Sequence, residues 1–379
     1  MKQAILNNLK NIYGWKTRRK IVVFSVDDYG NVRVDSTKAR AAMNLAGLSI
    51  HSRFDAYDTL ETKEDLEILY DTLTSVKDKN GRPAVFTPFA VPCNIDFERL
   101  AEERYQQYRC EMLPVTHEKL SCLQPQAYEG TWKLWQEGIT KRLMVPQFHG
   151  REHLNLKVFE EKLKKKDHEM LTALKNRSYT SISSTGYSTI SYTAAFDFFN
   201  FEENYGFEPI IKEGLDAFKK TFGYPAIYFN APGNQEHQII HTFLKDAGIK
   251  YLDTPIIKKE HQGKGKFIKT INYTGKKGKT GITQLVRNVV FEPAHDRGFD
   301  WVNYTIKQIE AAFRWHCPAI ISSHRVNFCG HIDPKNREKG INALRKLLKK
   351  ITEKWPDAEF MAANKLGEMI LKSNYYPDI

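Results

Sequence analysis

Two adjacent carboxylates, Asp27 and Asp28, follow an apolar run in the segment FSVDDYGN. Neighbouring carboxylates repel each other, and burying them costs free energy unless a positive charge lies close by. The run before them, residues 21–24 (IVVF), has the composition of a buried strand. A divalent cation beside Asp28 would offset the repulsion and leave Asp27 free to act as a base. The pair therefore makes metal-assisted acid–base chemistry at the end of a strand one candidate, which depends on further metal ligands elsewhere in the chain.

Two histidines, His149 and His153, lie four residues apart in VPQFHGREHLN, after another strand-like run. If the chain already turns helically there, both imidazoles share one face. Two histidines at this spacing are a common zinc-binding pair. The order H-G-R-E-H differs from H-E-x-x-H, so Glu152 is not placed as the general base of a zinc protease. Taken alone, the pair is equally consistent with two solvated loop histidines.

Two further strand-like runs end in polar or turn-forming residues. AIISSHRVNF places His324 just past a buried run, and AIYFNAPGN places Asn230 and Pro232 at the end of another. Singly, these are an ordinary capping histidine and an ordinary turn. In a barrel, however, the carboxyl ends of all parallel strands converge on one mouth. One carboxylate and two neutral imidazoles gathered there leave an open position for water on a divalent cation.

The elements that would position these side chains alternate along the chain. Short β-rich runs are separated by longer amphipathic segments, which predicts a parallel sheet, and about eight strands in 379 residues favour a barrel. The candidate strands are residues 21–26, 84–90, 143–148, 226–230, 250–252, 284–291, 319–322 and 358–361.

Two segments interrupt the alternation of strand-like and helical segments. They are the Ser-, Thr- and Tyr-rich residues 176–206 and the Gly- and Lys-rich residues 258–281. We expect both to be loop insertions over the scaffold, where substrate contacts often lie. We expect one domain over residues 1–379, with an N-terminal helix at about residues 1–19.

The charge balance is 57 Lys and Arg against 45 Asp and Glu, a net charge of +12. Such a surplus favours anionic partners, but the lysines are scattered, which favours a solvated basic surface over a specific nucleic-acid partner. The first 20 residues lack the apolar core of a signal peptide, and no run approaches the roughly 20 apolar residues of a membrane span. Five cysteines without CxxC spacing are typical of reduced thiols.

These features predict a cytoplasmic protein without a membrane partner. A chain whose signal segment had been removed would look the same. No pattern in the sequence sets an oligomeric state.

With these motifs in place, the chain resembles the polysaccharide deacetylases, the carbohydrate esterase family with the NodB homology domain. That family carries a T-F-D-D-G-like motif, then H-[ST]-x-x-H, then R-x-P-Y and a late L-x-H. The matching segments here occur in the same order and cover most of the chain: SVDDYG (25–30), HGREH (149–153), NAPG (230–233) and SSH (322–324). The D-D-[FY]-G form also resembles the YdjC-type deacetylases of chitooligosaccharides, whose metal histidines lie in a different sequence context.

The resemblance implies an α/β fold, a distorted (β/α)7 barrel. It implies metal-dependent hydrolysis of an acetyl group, above all an N-acetyl group on a carbohydrate. Asp27 would be the base that activates water, and His324 the acid that protonates the leaving group. Zn²⁺ or a similar divalent cation would be bound by Asp28, His149 and His153.

The sequence departs from the family pattern at four positions. Tyr29 displaces the glycine after the two aspartates, Gly150 replaces Ser or Thr, and the third motif has Asn230 for Arg and Gly233 for Tyr.

The family's arginine orients the catalytic aspartate, so we expect Arg151 or Arg325 to lie beside Asp27 instead. The acid histidine also needs a carboxylate partner. The candidates in the segment FEPAHDRGFDW are Asp300, Asp296 and Glu292.

Other functions remain compatible with this scaffold. An O-acetyl esterase or an amidase acting on a non-sugar C–N bond would use the same machinery, because a fold does not fix a substrate. A catalytically degenerate carbohydrate-binding protein is favoured by the missing third-motif arginine. Turnover of N-acetyl and O-acetyl substrates distinguishes the enzymes, and metal content tests the degenerate case.

Overall fold

The computed structural model describes residues 2–183 and 190–373. The strands are β1 (Lys20–Tyr29), β2 (Phe86–Ala90), β3 (Cys93–Ile95), β4 (Cys110–Met112), β5 (Gln147–Phe148), β6 (Tyr228–Phe229), β7 (Tyr251–Asp253), β8 (Ile257–His261), β9 (Phe267–Ile271), β10 (Thr283–Leu285), β11 (Val289–Val290), β12 (Ala319–His324) and β13 (Ala358–Phe360).

Helices separate most of these strands. They are α1 (Lys2–Leu9), α2 (Thr37–Leu45), α3 (Arg53–Tyr57), α4 (Lys63–Thr74), α5 (Phe97–Glu102), α6 (Leu113–Leu123), α7 (Pro125–Tyr128), α8 (Thr131–Thr140), α9 (Leu156–Lys164), α10 (His168–Lys175), α11 (Phe207–Phe222), α12 (Ile240–Asp246), α13 (Trp301–Arg314), α14 (Pro334–Lys354) and α15 (Ala363–Ser373). None of the helices within the described ranges is long and apolar enough to cross a membrane.

The main sheet is parallel and curls into a half-barrel alongside the helices. Its strand order is β10-β7-β6-β5-β2-β1-β12-β11, and β13 also pairs with β1. Among the described strands no ladder joins β10 to β11, so the barrel stays open there. This architecture confirms the predicted α/β fold with a distorted barrel. Parallel pairing brings the carboxyl ends of β1, β5, β6 and β12 to the same end of the sheet.

The central strand β1 is buried on both faces, and its alternate residues pack into two different clusters. Ile21 and Val23 pack inside the barrel with residues of β6, β7, β10 and β12, and with α15. Val22 and Phe24 belong to the larger cluster that joins the sheet to its helices. Side chains along a strand alternate between its two faces. Asp27 is separated from Ile21 and Val23 by an even number of positions, so it lies on the same inner side of the barrel.

Several local predictions differ from the structure. The N-terminal helix ends at Leu9 instead of near residue 19. The predicted strand 284–291 is two short strands, β10 and β11. The predicted loop 258–281 contains most of an antiparallel ladder between β8 and β9. In the predicted loop 176–206, residues 190–200 are irregular and a short 3-10 helix follows, Phe201–Gly206, while residues 184–189 lie outside the described ranges.

Candidate metal centre and active site

Asp28, His149 and His153 come together at the carboxyl end of the sheet. The Oδ1 atom of Asp28 lies 3.6 Å from Nε2 of His149 and 3.1 Å from Nε2 of His153. Ligand atoms of all three buried residues lie within 4.8 Å of one another. Zinc bonds of roughly 2.0–2.1 Å place tetrahedral ligands about 3.3 Å apart, and these separations are close to that value. The donor set therefore fits a divalent cation.

The backbone at Asp28 explains how two adjacent aspartates reach one site. The pairing of β1 with β2 shifts register between Val26 and Tyr29, and Asp28 has a φ of 74°. In a regular strand Asp27 and Asp28 would point to opposite faces of the sheet. The register shift turns Asp28 towards the mouth of the barrel, which Asp27 already faces because of its position in the strand. Left-handed backbone at a non-glycine residue is strained and is often found at functional sites.

The loop after β5 holds both histidines. Gly150 has a φ of +94°, and a Cβ atom there would lie 3.1 Å from the carbonyl oxygen of Glu152 and 3.5 Å from Cγ of Pro232. This tight, left-handed turn explains why the motif has glycine in place of Ser or Thr. His149 Nδ1 donates a hydrogen bond to the backbone oxygen of Asn230 at 2.9 Å, which leaves the Nε2 lone pair facing the site.

The charges around the cluster suit cation binding. Burial raises the pKa of Asp28, but the charge of the Arg33 guanidinium, 3.6 Å away, and the hydrogen bond from His153 outweigh burial and hold the pKa well below its usual range. Burial lowers the pKa of His153. An ionised carboxylate and a neutral imidazole are the forms that bind a metal.

Arg287 is the arginine beside Asp27. Its Nη1 and Nη2 atoms each donate a 2.7 Å hydrogen bond to one oxygen of Asp27, and its Nε donates a 2.7 Å bond to Asp253. The guanidinium also stacks 5.1 Å from the ring centre of Phe89. Burial raises the pKa of Asp27, but the charge and hydrogen bonds of Arg287 outweigh this effect and hold the pKa below its usual value.

The prediction that Arg151 or Arg325 lies beside Asp27 is wrong. Arg151 pairs with Glu152 at 2.7 Å, and Arg325 bonds Asp58 at 2.9 Å. Both arginines therefore form ion pairs with carboxylates other than Asp27. The sequence did hold one signal for Arg287, because it is a charged residue inside the largely apolar run LVRNVVF.

His324 stands at the end of β12, on the other side of Asp27. Its Nδ1 lies 2.6 Å from Oε1 of Glu292, and its Nε2 lies 3.8 Å from Oδ2 of Asp27. Burial alone would lower the pKa of His324, but the charge and hydrogen bond of Glu292 raise it to about 9. Arg53 and Asn327 hold the second oxygen of Glu292 at 2.7 and 2.8 Å.

Glu292 is therefore the carboxylate partner among the three candidates. Asp300 caps α13 by accepting backbone hydrogen bonds from Val302 and Asn303, which corrects its assignment as a site residue. Asp296 accepts a bond from the Gly298 backbone. Both belong to the loop geometry before α13.

The site residues line one open pocket of about 330 Å³. Asp27, Asp28, His149, His153, Asn230 and His324 form its polar floor. Its walls include Phe54 and Tyr192 as well as Ser52 and Thr193. Pro232 begins the short 3-10 turn Pro232–Asn234 and packs near Gly150.

Comparisons with known proteins identify no close relative. No family model matches the sequence. No curated protein matches it either. Among solved structures, a protein of Mycobacterium smegmatis assigned as a polysaccharide deacetylase aligns at 11% identity over 96% of this chain and 94% of that chain, with a TM-score of 0.47.

The Puue allantoinase aligns at 11% identity with the same two coverages and a TM-score of 0.45. A 4-alpha-glucanotransferase from Thermococcus litoralis aligns at 12% identity over 92% of this chain and 40% of that chain, with a TM-score of 0.45. Similarities this remote carry no argument about chemistry, so the function has to be argued from the site itself.

Proposed function

We propose that this protein is a metal-dependent hydrolase that removes an N-acetyl group from a carbohydrate. One arrangement carries the proposal. Asp27 and His324, each paired with an oppositely charged group, flank the Asp28–His149–His153 cluster in a single pocket. A base, an acid and a set of metal ligands within one small pocket are the components that amide hydrolysis requires.

A divalent cation held by Asp28, His149 and His153 would supply a Lewis acid that polarises the acetyl carbonyl and lowers the pKa of water. Zinc suits two imidazoles and one carboxylate, although several divalent ions accept this donor set. The hydrogen bond from His149 to the Asn230 carbonyl supports this role, because such bonds orient metal-binding histidines.

Asp27 is the base in this mechanism. It takes a proton from the attacking water, and Arg287 holds its carboxylate ionised and in one rotamer. The two bonds from Arg287 use part of the carboxylate's acceptor capacity, since a carboxylate has about four lone-pair sites.

His324 is the acid. An amine leaves an amide only when it is protonated, so N-acetyl cleavage needs a proton donor at the nitrogen. Glu292 raises the pKa of His324 to about 9, so the imidazole carries its proton at neutral pH. Its Nε2 is directed to the Asp27 side of the pocket while Nδ1 is bonded to Glu292. A charged donor in this place favours amide cleavage over ester cleavage, since an alkoxide leaves more readily than an amide anion.

The assignment to a carbohydrate rests on the motif resemblance and on the pocket walls. The polar residues Ser52, Thr193 and Asn234 line the pocket together with the aromatic residues Phe54 and Tyr192. A hydroxyl-rich ring with one acetamido group matches such a mixed lining, because small-molecule sites combine apolar walls with a few placed polar groups.

The test is acetate release by purified protein that has been stripped with a chelator and reloaded with zinc. The substrates are N-acetylated sugars and oligosaccharides, O-acetylated sugars, and a simple non-sugar acetamide. We expect turnover of the N-acetylated sugars only in the metal-loaded protein.

Hydrolysis confined to O-acetyl groups would identify an esterase, and hydrolysis of the non-sugar amide alone would identify an amidase. Binding of glycans without turnover or metal retention would identify a degenerate site. Each of these results contradicts the proposal.

A further inference from the structure

The β8–β9 hairpin exposes several large apolar side chains. Ile257 is 61% exposed, Ile271 69%, Phe267 52% and Ile268 45%. Ile257 and Ile271 are direct partners across the ladder, so their side chains lie next to each other on one face. Phe267 lies on this same face, whereas Ile268 pairs with Glu260 on the opposite face. Single exposed apolar residues are ordinary, but an exposed aliphatic pair with an exposed ring on one face marks an interaction surface.

Lysines lie on the same hairpin. Lys259 and Lys269 are direct cross-strand partners, and Lys264 and Lys266 flank the turn. Like charges placed directly opposite each other in an antiparallel ladder destabilise it. The structure pairs none of these four exposed lysines with a carboxylate in the described ranges. An anionic partner would remove this repulsion.

The opposite face of the hairpin is fixed to the protein body. Lys258 is buried and forms an ion pair with Glu236, and Glu260 accepts a 2.7 Å hydrogen bond from the backbone of Gln238. Because side chains alternate along a strand, Ile257 and Lys259 then point away from the body. The hairpin therefore presents a mixed apolar and cationic outer face.

The segment after α1 extends this surface. The backbone nitrogen of Trp15 donates a 2.7 Å hydrogen bond to the carbonyl of Thr274, which follows the end of β9 at Ile271. Tyr13 is 74% exposed, and it lines the same small cleft as Tyr273, which is 40% exposed. We call the outer face of β8–β9 together with Tyr13 and Tyr273 the hairpin surface.

We propose that the hairpin surface binds an anionic lipid surface. Isoleucines between lysines match the boundary between acyl chains and headgroups, where apolar side chains insert and lysines contact anionic headgroups. A second copy of this chain fits poorly, because it would bring the same unpaired lysines and another net charge of +12. A nucleic acid would engage the lysines but leave the aliphatic side chains without a role.

This inference stands apart from the proposed function. It differs from the expectation of no membrane partner, which depended on the absence of a spanning segment; surface binding needs no span. The hairpin follows β7, which ends at Asp253, the residue that bonds Arg287. It therefore leaves the sheet at the end where the pocket opens.

The test is flotation of the purified protein with two kinds of vesicle, pure phosphatidylcholine and phosphatidylcholine with about 30% phosphatidylglycerol. We expect binding to the anionic vesicles and little to the neutral ones. The double variant K259E/K269E should lower the partition coefficient roughly tenfold or more, since each lysine near an anionic surface contributes appreciably. The double variant I257S/I271S should also weaken binding, because it removes the apolar insertion.

The matched control is K339E/K346E, which makes the same charge change at two exposed lysines of α14. It should bind anionic vesicles nearly as the unchanged protein does. Thermal unfolding of each variant establishes that it is folded.

Three results would overturn the proposal. The first is equal loss of binding in the α14 control, which would show an unspecific effect of net charge. The second is no vesicle binding combined with a change from dimer to monomer in I257S/I271S, which would identify a contact between copies. The third is binding to an oligonucleotide that matches vesicle binding and is unaffected by I257S/I271S, which would identify a general polyanion surface.

Discussion

Arg287 holds Asp27 through two hydrogen bonds of 2.7 Å, one to each carboxylate oxygen. Asp28, the next residue, has a different cation, Arg33, 3.6 Å from its Oδ2. Two adjacent carboxylates therefore remain ionised because each has its own guanidinium, approaching from a different part of the barrel. A bidentate pair also fixes the orientation of Asp27, which a general base requires.

Replacing Arg287 with lysine should lower the rate of acetate release and leave metal content unchanged. Lysine keeps the positive charge but cannot form the bidentate pair, so Asp27 loses its fixed orientation. We expect a loss on the order of 10- to 100-fold in kcat, because positioning of a general base accounts for part of its 10²- to 10⁴-fold contribution. Steady-state kinetics and metal analysis of the same preparation measure both quantities.

The control for this change is Arg345→Lys, at an exposed position of α14. It should behave like the unchanged protein. Full activity in Arg287→Lys would mean that Asp27 needs no fixed partner and would contradict its assignment as the base.

Substitution of Asp27 and substitution of Asp28 should have different effects on metal binding and on the reaction rate. Asp28→Asn should weaken metal binding, because a neutral amide is a poorer ligand and the site loses its anionic donor. Asp27→Asn should retain metal but lose about 10²- to 10⁴-fold in rate, since it removes the general base. Metal analysis and acetate release on both variants are the measurements.

If both aspartates only capped the following backbone, each variant would lose about 1 kcal/mol of stability or less and keep its metal. Equal metal content and equal activity in the two variants would reject the division of roles between them.

The pairing of His324 with Glu292 predicts the alkaline limb of the pH profile. An acid with a raised pKa of about 9 is protonated below that pH, so activity should persist to about pH 9 and fall above it. In Glu292→Gln the raising charge is gone and burial lowers the pKa, so the limb should move to lower pH. The pH dependence of kcat/KM measures this shift.

His324→Gln supplies the comparison for that profile, because it should lose the alkaline limb together with most of the rate. An unchanged limb in Glu292→Gln would show that another group sets it, and His324 would then not be the acid.

His117 should make the protein sensitive to acid independently of the active site. It is buried against Trp132 and Tyr128, neither ring nitrogen has a hydrogen-bond partner among the described residues, and burial lowers its pKa to about 3. The unfolded chain, with an ordinary pKa near 6.5, then binds a proton that the folded chain excludes. The free energy of unfolding is therefore unaffected by His117 protonation above about pH 6.5, and it decreases as the pH falls from there towards 3.

We expect His117→Phe to lose less stability between pH 7 and pH 4 than the unchanged protein, by roughly 3 kcal/mol. Urea denaturation at the two pH values measures the difference. The exposed His168 of α10 supplies the control, and His168→Phe should retain the full acid sensitivity. If His117→Phe shows the same loss as the unchanged protein, a hidden partner satisfies the His117 ring.

The sequence by itself determined the features that depend on short-range pattern. An apolar run ending in Asp27 and Asp28, a histidine pair after a second run and His324 after a third predicted parallel strands that end at one mouth, and the structure has that topology. Pattern was less informative at residues 258–281, where glycine and lysine disfavour strands. There the β8–β9 ladder is held by contacts from Glu236 and Gln238.

Only the tertiary structure decided which charged groups meet. Asp27 and Arg287 are 260 residues apart, and His324 and Glu292 are 32 apart. The position of Arg287 in a largely apolar run marked it as unusual, but the sequence could not show which carboxylate any of the arginines would meet, since any arginine can pair with a carboxylate. The choice depended on strand order and on the parity of Asp27 in β1. Burial of Ile21 and Val23 inside the barrel sets the face on which Asp27 lies, and the strand order is a cooperative property of the whole sheet.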